Sequence, residues 1–278
     1  MSIEEHATKI YKIFLVVLYA LFVTISQGYS FEGSQNHPMI GNSIFPLTDV
    51  AIRLREVNVA MERQKNDIAT KVISAYGLEN MSNEEVHFKI AFPVESNCIG
   101  CTQMPDDFKV LVNGKPIQTF NQKITERDIL SRTSKEIGLE DSGKAVYPPK
   151  KIEDMKEEII LIVWEISFKP LEEKIISCSY TTEWIGDPGT EYFEYNISAL
   201  YLWQGAVEKA FFKFSLPPEL IENIRKKATS RWPKIKINPG NYKIRGSAVE
   251  WSLKNLKQTK IGYMSVKIDY RKPGVIGE

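Results

Sequence analysis

Beyond residue 50, apolar residues recur at every second position over much of the chain, the period of a strand with one face in a core. Ile52 and Leu54 alternate with charges. Val57, Val59 and Met61 then resume on a shifted phase, which predicts a β-bulge between the two sets. Val72, Ser74, Tyr76 and Leu78 share one face of the next stretch. Val86, Phe88, Ile90 and Phe92 alternate with His87, Lys89 and Ala91 until Pro93, which has no N–H to donate to a ladder. Phe108 to Val112, followed by Asn113-Gly114, predicts a hairpin, because this dipeptide accepts the positive φ angles of a tight type I′ turn.

The pattern breaks once and then returns. Thr125 is a candidate capping hydroxyl, with Glu126 and Asp128 near the positive end of a helix dipole. Ile129, Leu130, Thr133 and Ile137 follow at helical spacing up to Gly138. Residues 140–157 are polar, carry Pro148-Pro149 and read as a linker or long loop. Alternation resumes over Ile159 to Phe168, over Ile176, Cys178 and Tyr180, and over Phe193 to Tyr201 as one long strand. It continues from Ala210 to Leu216, from Val249 to Leu253 and from Met264 to Tyr270. Pro217-Pro218 opens a short helix through Leu220, Ile221 and Ile224, since proline suits a first helical turn. Strands do not alternate with helices, which argues against a parallel nucleotide-binding sheet.

The expected fold class is therefore mainly all-β: two tandem antiparallel β-sandwich domains with one inserted helix and a short helix near residue 220. The expected divisions are 1–30 as an export segment, 45–122 as an N-terminal sandwich, 123–157 as helical insertion and linker, and 158–278 as a C-terminal sandwich. The export segment is an apolar run from Ile13 to Ile25 behind Lys9 and Lys12. Gly28-Tyr29-Ser30 then offers small residues for cleavage before Phe31. The run falls short of the roughly 20 apolar residues of a spanning helix, so a cleaved signal peptide is preferred to a retained anchor. The destination is secreted or periplasmic.

Composition adds little beyond this. The 278 residues carry 36 Lys+Arg and 35 Asp+Glu, and a net charge of +1 gives no global attraction to nucleic acid. Aromatic residues make up 11%, which suits half-buried pleated surfaces.

Three stretches carry a resemblance. They are Glu56 to Arg63 leading into Tyr76-Gly-Leu-Glu-Asn80 and Phe88 to Pro93, the hairpin Val110 to Pro116, and Leu202-Trp-Gln-Gly-Ala-Val-Glu-Lys-Ala-Phe211. Together they resemble an uncharacterised family of secreted bacterial β-sandwich proteins, a domain of unknown function. The resemblance implies export and architecture, and brings no catalytic residues with it.

The sharpest chemical feature is Cys98-Ile-Gly-Cys101, with Cys178 as the third thiol. In an oxidising compartment the pair reads first as a loop disulfide. Thiol exchange, half of a metal site, or a bridge from one of the pair to Cys178 are the alternatives. Cys178 shares a face with Ile176 and Tyr180, which favours a buried thiol. His6, His37 and His87 are scattered, and Gly-x-Ser-x-Gly is absent from the sequence, so neither a zinc set nor a nucleophile elbow is expected. Trp184 and Trp203 are candidates for stacking on a ligand, although alternation also suits them to a core. Arg225, Lys226, Lys227 and Arg231, with Lys234 and Lys236 beyond, form a candidate basic patch that reads equally as a solvated helix end. Asn80-Met-Ser82 and Asn196-Ile-Ser198 match glycosylation acceptors.

The functional expectation is an exported non-catalytic binding or structural module of the cell envelope, without cofactor or metal. An envelope protein or a polysaccharide is its expected partner, and nucleic acid is not. A thiol-disulfide protein acting through Cys98 and Cys101, or a glycan-binding module, are the alternatives.

Overall fold

The computed structural model describes residues 42–64, 69–93, 107–125, 158–184, 189–226, 233–256 and 263–271. These residues form a mainly all-β protein. The expected export segment, the pair Cys98 and Cys101, and the expected helix beyond Thr125 lie outside the described residues. No helix among the described residues is long and apolar enough to cross a membrane.

The strands in chain order are β1 (Phe45–Pro46), β2 (Ile52–Arg63), β3 (Ala69–Asn80), β4 (Val86–Pro93), β5 (Lys109–Val112), β6 (Lys115–Pro116), β7 (Phe120–Thr125) and β8 (Glu158–Phe168). They continue with β9 (Glu173–Glu183), β10 (Thr190–Asn196), β11 (Val207–Ser215), β12 (Lys234–Asn238), β13 (Lys243–Arg245), β14 (Ala248–Leu256) and β15 (Tyr263–Asp269). The helix α1 spans Pro218–Arg225, as the proline pair predicts. Asn113 (φ 49°) and Gly114 (φ 77°) form the tight turn between β5 and β6. The bulge falls between Leu54 and Glu56.

The strands assemble into an eight-stranded sheet (β13-β14-β11-β2-β3-β9-β5-β6), a four-stranded sheet (β1-β4-β8-β7) and a three-stranded sheet (β10-β15-β12). Contacts between sheets define two layers. Phe92 of the four-stranded sheet meets Tyr180 of the large one at 5.1 Å between ring centroids. Phe193 and Tyr195 of the three-stranded sheet meet Phe214 at 5.0 Å and Phe212 at 6.0 Å. One continuous core fills the gap, with Val57, Val59, Tyr76, Trp164, Phe212 and Trp251 all essentially inaccessible. Burying each such aromatic or aliphatic side chain stabilises by about 2 kcal/mol or more.

Strand pairing departs from the tandem arrangement. β2 and β3, from the first expected sandwich, pair with β11 and β9 from the second, and β4 pairs with β8. The boundary at 123–157 divides the sequence without dividing the sheets. The β2–β11 pair is also parallel, where antiparallel pairing alone was expected. Alternation reports which face of a strand is buried but not which strand lies beside it, and the two halves complete each other's layers.

Phe120–Thr125 is a strand on β8 that leads up to the stretch where the helix was expected, which lies outside the described residues. One local expectation changes. The long strand expected over Phe193 to Tyr201 stops at Asn196, where its partner β15 begins at Tyr263. Beyond Asn196 the chain tightens into a 3-10 turn over Ser198–Leu202. There Leu200 N–H donates to the Ile197 carbonyl, and Ala199 packs with Phe45 and Ala91.

The residues that carry the resemblance hold this architecture together. Tyr76 and Leu78 are buried. Asn80 is wholly buried at the end of β3, where its amide donates to the carbonyls of Glu84 (2.8 Å) and Lys169 (2.9 Å). Its Oδ1 accepts from the Ser82 backbone and hydroxyl. An amide engaged in this way is closed to glycosylation. Asn80→Ala is expected to cost about 3 kcal/mol, since several buried groups lose their partners at once. Chemical denaturation checks this, and a loss under 1 kcal/mol would mean water replaces the side chain.

Candidate functional site

A bulge turns two consecutive residues to one face of a sheet, and in β2 those residues are Arg55 and Glu56. Ile52 and Leu54 point into the core before the bulge, and Val57 and Val59 after it. Opposite Glu56 stands Gly77 of β3, whose missing side chain leaves the floor low. Register continues this row across the sheet as Lys209, Glu56, Gly77 and Ile175. Asn113 closes it, accepting from Ile175 N–H through Oδ1 and donating its own N–H to the Ile175 carbonyl, each at 2.8 Å. The result is an open groove of about 390 Å³ on the outer face of the large sheet.

An ion-pair mesh borders the groove. Arg53 reaches Glu79 at 2.8 Å and Glu208 at 3.2 Å. Arg55 lies 3.8 Å from Glu79 and 3.9 Å from Glu208, and also pairs with Glu173. Three carboxylates from three strands thus hold two guanidiniums from a fourth. The hydrogen bond to Glu79 raises the Arg53 pKa, with burial opposing it and the other carboxylates adding to it. Each exposed pair contributes about 0–1 kcal/mol, so the mesh positions side chains more than it stabilises the fold. Lys209 at one end makes no ion pair among the described residues. Ile175, 56% exposed, offers an apolar wall. The groove can hold charges of both signs around a low apolar floor.

The residues singled out from sequence lie elsewhere. Trp184 and Trp203 are 5% and 3% exposed, so both belong to the core and neither presents a face for stacking on a ligand. Trp184 Nε1 donates to Thr70 Oγ1 at 2.7 Å, and the Arg63 guanidinium lies 4.5 Å from its ring centroid. Trp203 Nε1 donates to the Ile44 carbonyl at 3.0 Å. In the basic patch, Arg225 donates to the Gly246 carbonyl and Lys226 pairs with Glu222 one turn back. Both finish a helix end, whereas Lys227 and Arg231 lie outside the described residues. Lys234 and Lys236 belong to β12, an edge strand of the three-stranded sheet, where lysine discourages further pairing.

Cys178 is buried and unbridged, and burial pushes its thiol pKa far up, which suits packing and not nucleophilic attack. His87 is exposed beside Glu85 at 3.3 Å. Among the described residues no three His, Cys, Asp or Glu side chains are placed to hold a metal ion. Motif reading missed the groove because its residues come from five separate stretches. The single local signal was the phase shift after Leu54.

No family model matches the chain, and no curated protein sequence does. Similar solved structures include a provisionally named nutrient-binding protein from Legionella pneumophila. It is 17% identical, with a TM-score of 0.55 over 81% of this chain and 70% of that one. The two share a fold. Leukotriene A4 hydrolase from Saccharomyces cerevisiae (9% identity, TM-score 0.39) and an M1 zinc metallopeptidase from Deinococcus radiodurans (5%, 0.34) also overlap. The chain spans 32% and 43% of their lengths, and similarity at that level carries no argument about this protein.

Proposed function

We propose that this chain is an exported, non-catalytic binding module of the cell envelope, which takes its ligand in the groove above Gly77. The observation that carries the reading is the groove itself. A bulge, a glycine and a mesh of aligned ion pairs together make a polar recess on an otherwise continuous sheet face. Its volume lies toward the low end of small-ligand sites, roughly 300–1,000 Å³. The apolar run from Ile13 to Ile25 supports export, and the resemblance to secreted β-sandwich proteins agrees with it. The name of the Legionella protein with the same fold, nutrient binding, points to a binding role.

Gly77→Val makes a clean test. A Cβ at this position meets nothing closer than the Glu56 Cβ at 3.7 Å, an ordinary contact, so the variant folds while its floor rises. Valine also suits a strand better than glycine, by up to about 1 kcal/mol. The measurement is thermal unfolding of both proteins against amino acids, short peptides, oligosaccharides, polyamines and inorganic anions. At least one class is expected to raise the midpoint of the natural protein by about 5 °C near saturation, and to leave Gly77→Val unmoved. If no compound distinguishes the two proteins, the groove is not the binding site.

A further inference from the structure

We infer that the ligand of this groove is a short extended peptide with both termini free, an inference that rests on the groove being the binding site. The groove runs across the strands and is charged differently at its two ends. At the β11 end stands the Lys209 ammonium, which has no carboxylate partner among the described residues. Three strands away, on β9, stands Glu173. Its side chain is 63% exposed and engages Arg55 through Oε1. A terminal carboxylate fits the first end and a terminal ammonium the second.

Length follows from register. Lys209, Glu56, Gly77 and Ile175 occupy four neighbouring strands. Glu173 lies two residues along β9 from Ile175, so three spacings of about 4.8 Å and two steps of about 3.4 Å place the ends about 16 Å apart, which an extended chain covers in about four to five residues. A single amino acid, with its charges on one carbon, cannot reach both. Between the ends, Gly77 lets a peptide main chain lie close to the sheet, and Ile175 offers apolar contact to a small side chain. Glu56 and Arg55 flank the middle, where a peptide presents amide donors and acceptors.

Isothermal titration of the purified protein with tetraalanine tests this, using alanine and N-acetyl-tetraalanine-amide as comparisons. Tetraalanine is expected to bind at least tenfold more tightly than either. Lys209→Glu is expected to weaken tetraalanine at least tenfold without changing the circular dichroism spectrum. Equal binding of the blocked peptide, or an unchanged affinity in Lys209→Glu, overturns the inference even if Gly77→Val abolishes binding and so upholds the groove. Failure of tetraalanine to bind, when another compound gives a Gly77-dependent shift, likewise overturns the peptide and leaves the groove. Failure of every compound to depend on Gly77 overturns both.

Discussion

Trp203→Ala is expected to destabilise the protein by about 4 kcal/mol, because removal of a buried large aromatic typically costs about 3–5 kcal/mol. The indole packs edge-on against Phe88, with centroids 6.4 Å apart and planes at 80°, and its N–H satisfies the Ile44 carbonyl. Ile44 is wholly buried beside it, so the carbonyl has no ready access to bulk water. Trp203→Phe separates the two contributions. It keeps a ring but leaves that carbonyl unpaired, and is expected to cost about 1–3 kcal/mol. Urea denaturation followed by circular dichroism measures both. A loss below about 1 kcal/mol for the alanine variant would mean that the indole is dispensable to the core, and would return it to the list of ligand-facing groups.

Alkaline pH is the second strong lever. Tyr76 of the large sheet and Tyr195 of the three-stranded sheet meet hydroxyl to hydroxyl at 3.1 Å, and Ser43 donates to Tyr195 at 3.3 Å. Both rings are completely buried. Burial holds the Tyr76 phenol well above the ordinary 10, and pushes Tyr195 up to about 12. Below pH 10 the phenols are neutral in both the folded and unfolded chains, and their contribution is complete. As pH rises from 10 toward 12 the unfolded chain releases protons that the folded one retains, so stability falls. Two units on Tyr195 amount to about 2 kcal/mol at pH 12 and approach about 3 kcal/mol above it. Tyr192 and Tyr270, raised by burial and by Glu194 and Glu191, act in the same direction. Denaturation midpoints from pH 9 to 12 are therefore expected to drop steeply, and Tyr76→Phe combined with Tyr195→Phe to flatten the drop. An equally steep fall in that double variant would place the alkaline sensitivity elsewhere.

The sequence was most readable where a signal is local. Asn113-Gly114 specified its turn, Pro217-Pro218 its helix, and the phase shift after Leu54 its bulge. Alternation along β2, β3, β9 and β11 marked the inward residues correctly, since one buried face imposes a period of two. Partnership between distant segments was not readable. Nothing near Glu56 indicates that Lys209 lies beside it, yet that neighbour determines the groove. Trp203 misled for a related reason. From sequence it stands at a strand end before Gln204-Gly205, a place that favours exposure, but the turn over Ser198–Leu202 swings it inward over Ile44 and Phe88.

The parallel pairing of β2 with β11 has a consequence for how the chain is made. β2 waits for a neighbour about 150 residues downstream, so its ladder cannot close until most of the chain has been synthesised. Until then β2 and β3 form a ribbon with an open, apolar-sided edge, prone to pairing with other chains. A polypeptide that completes its sheets only at the end stays open until its synthesis is nearly finished, and needs protection from its own edges over the same interval.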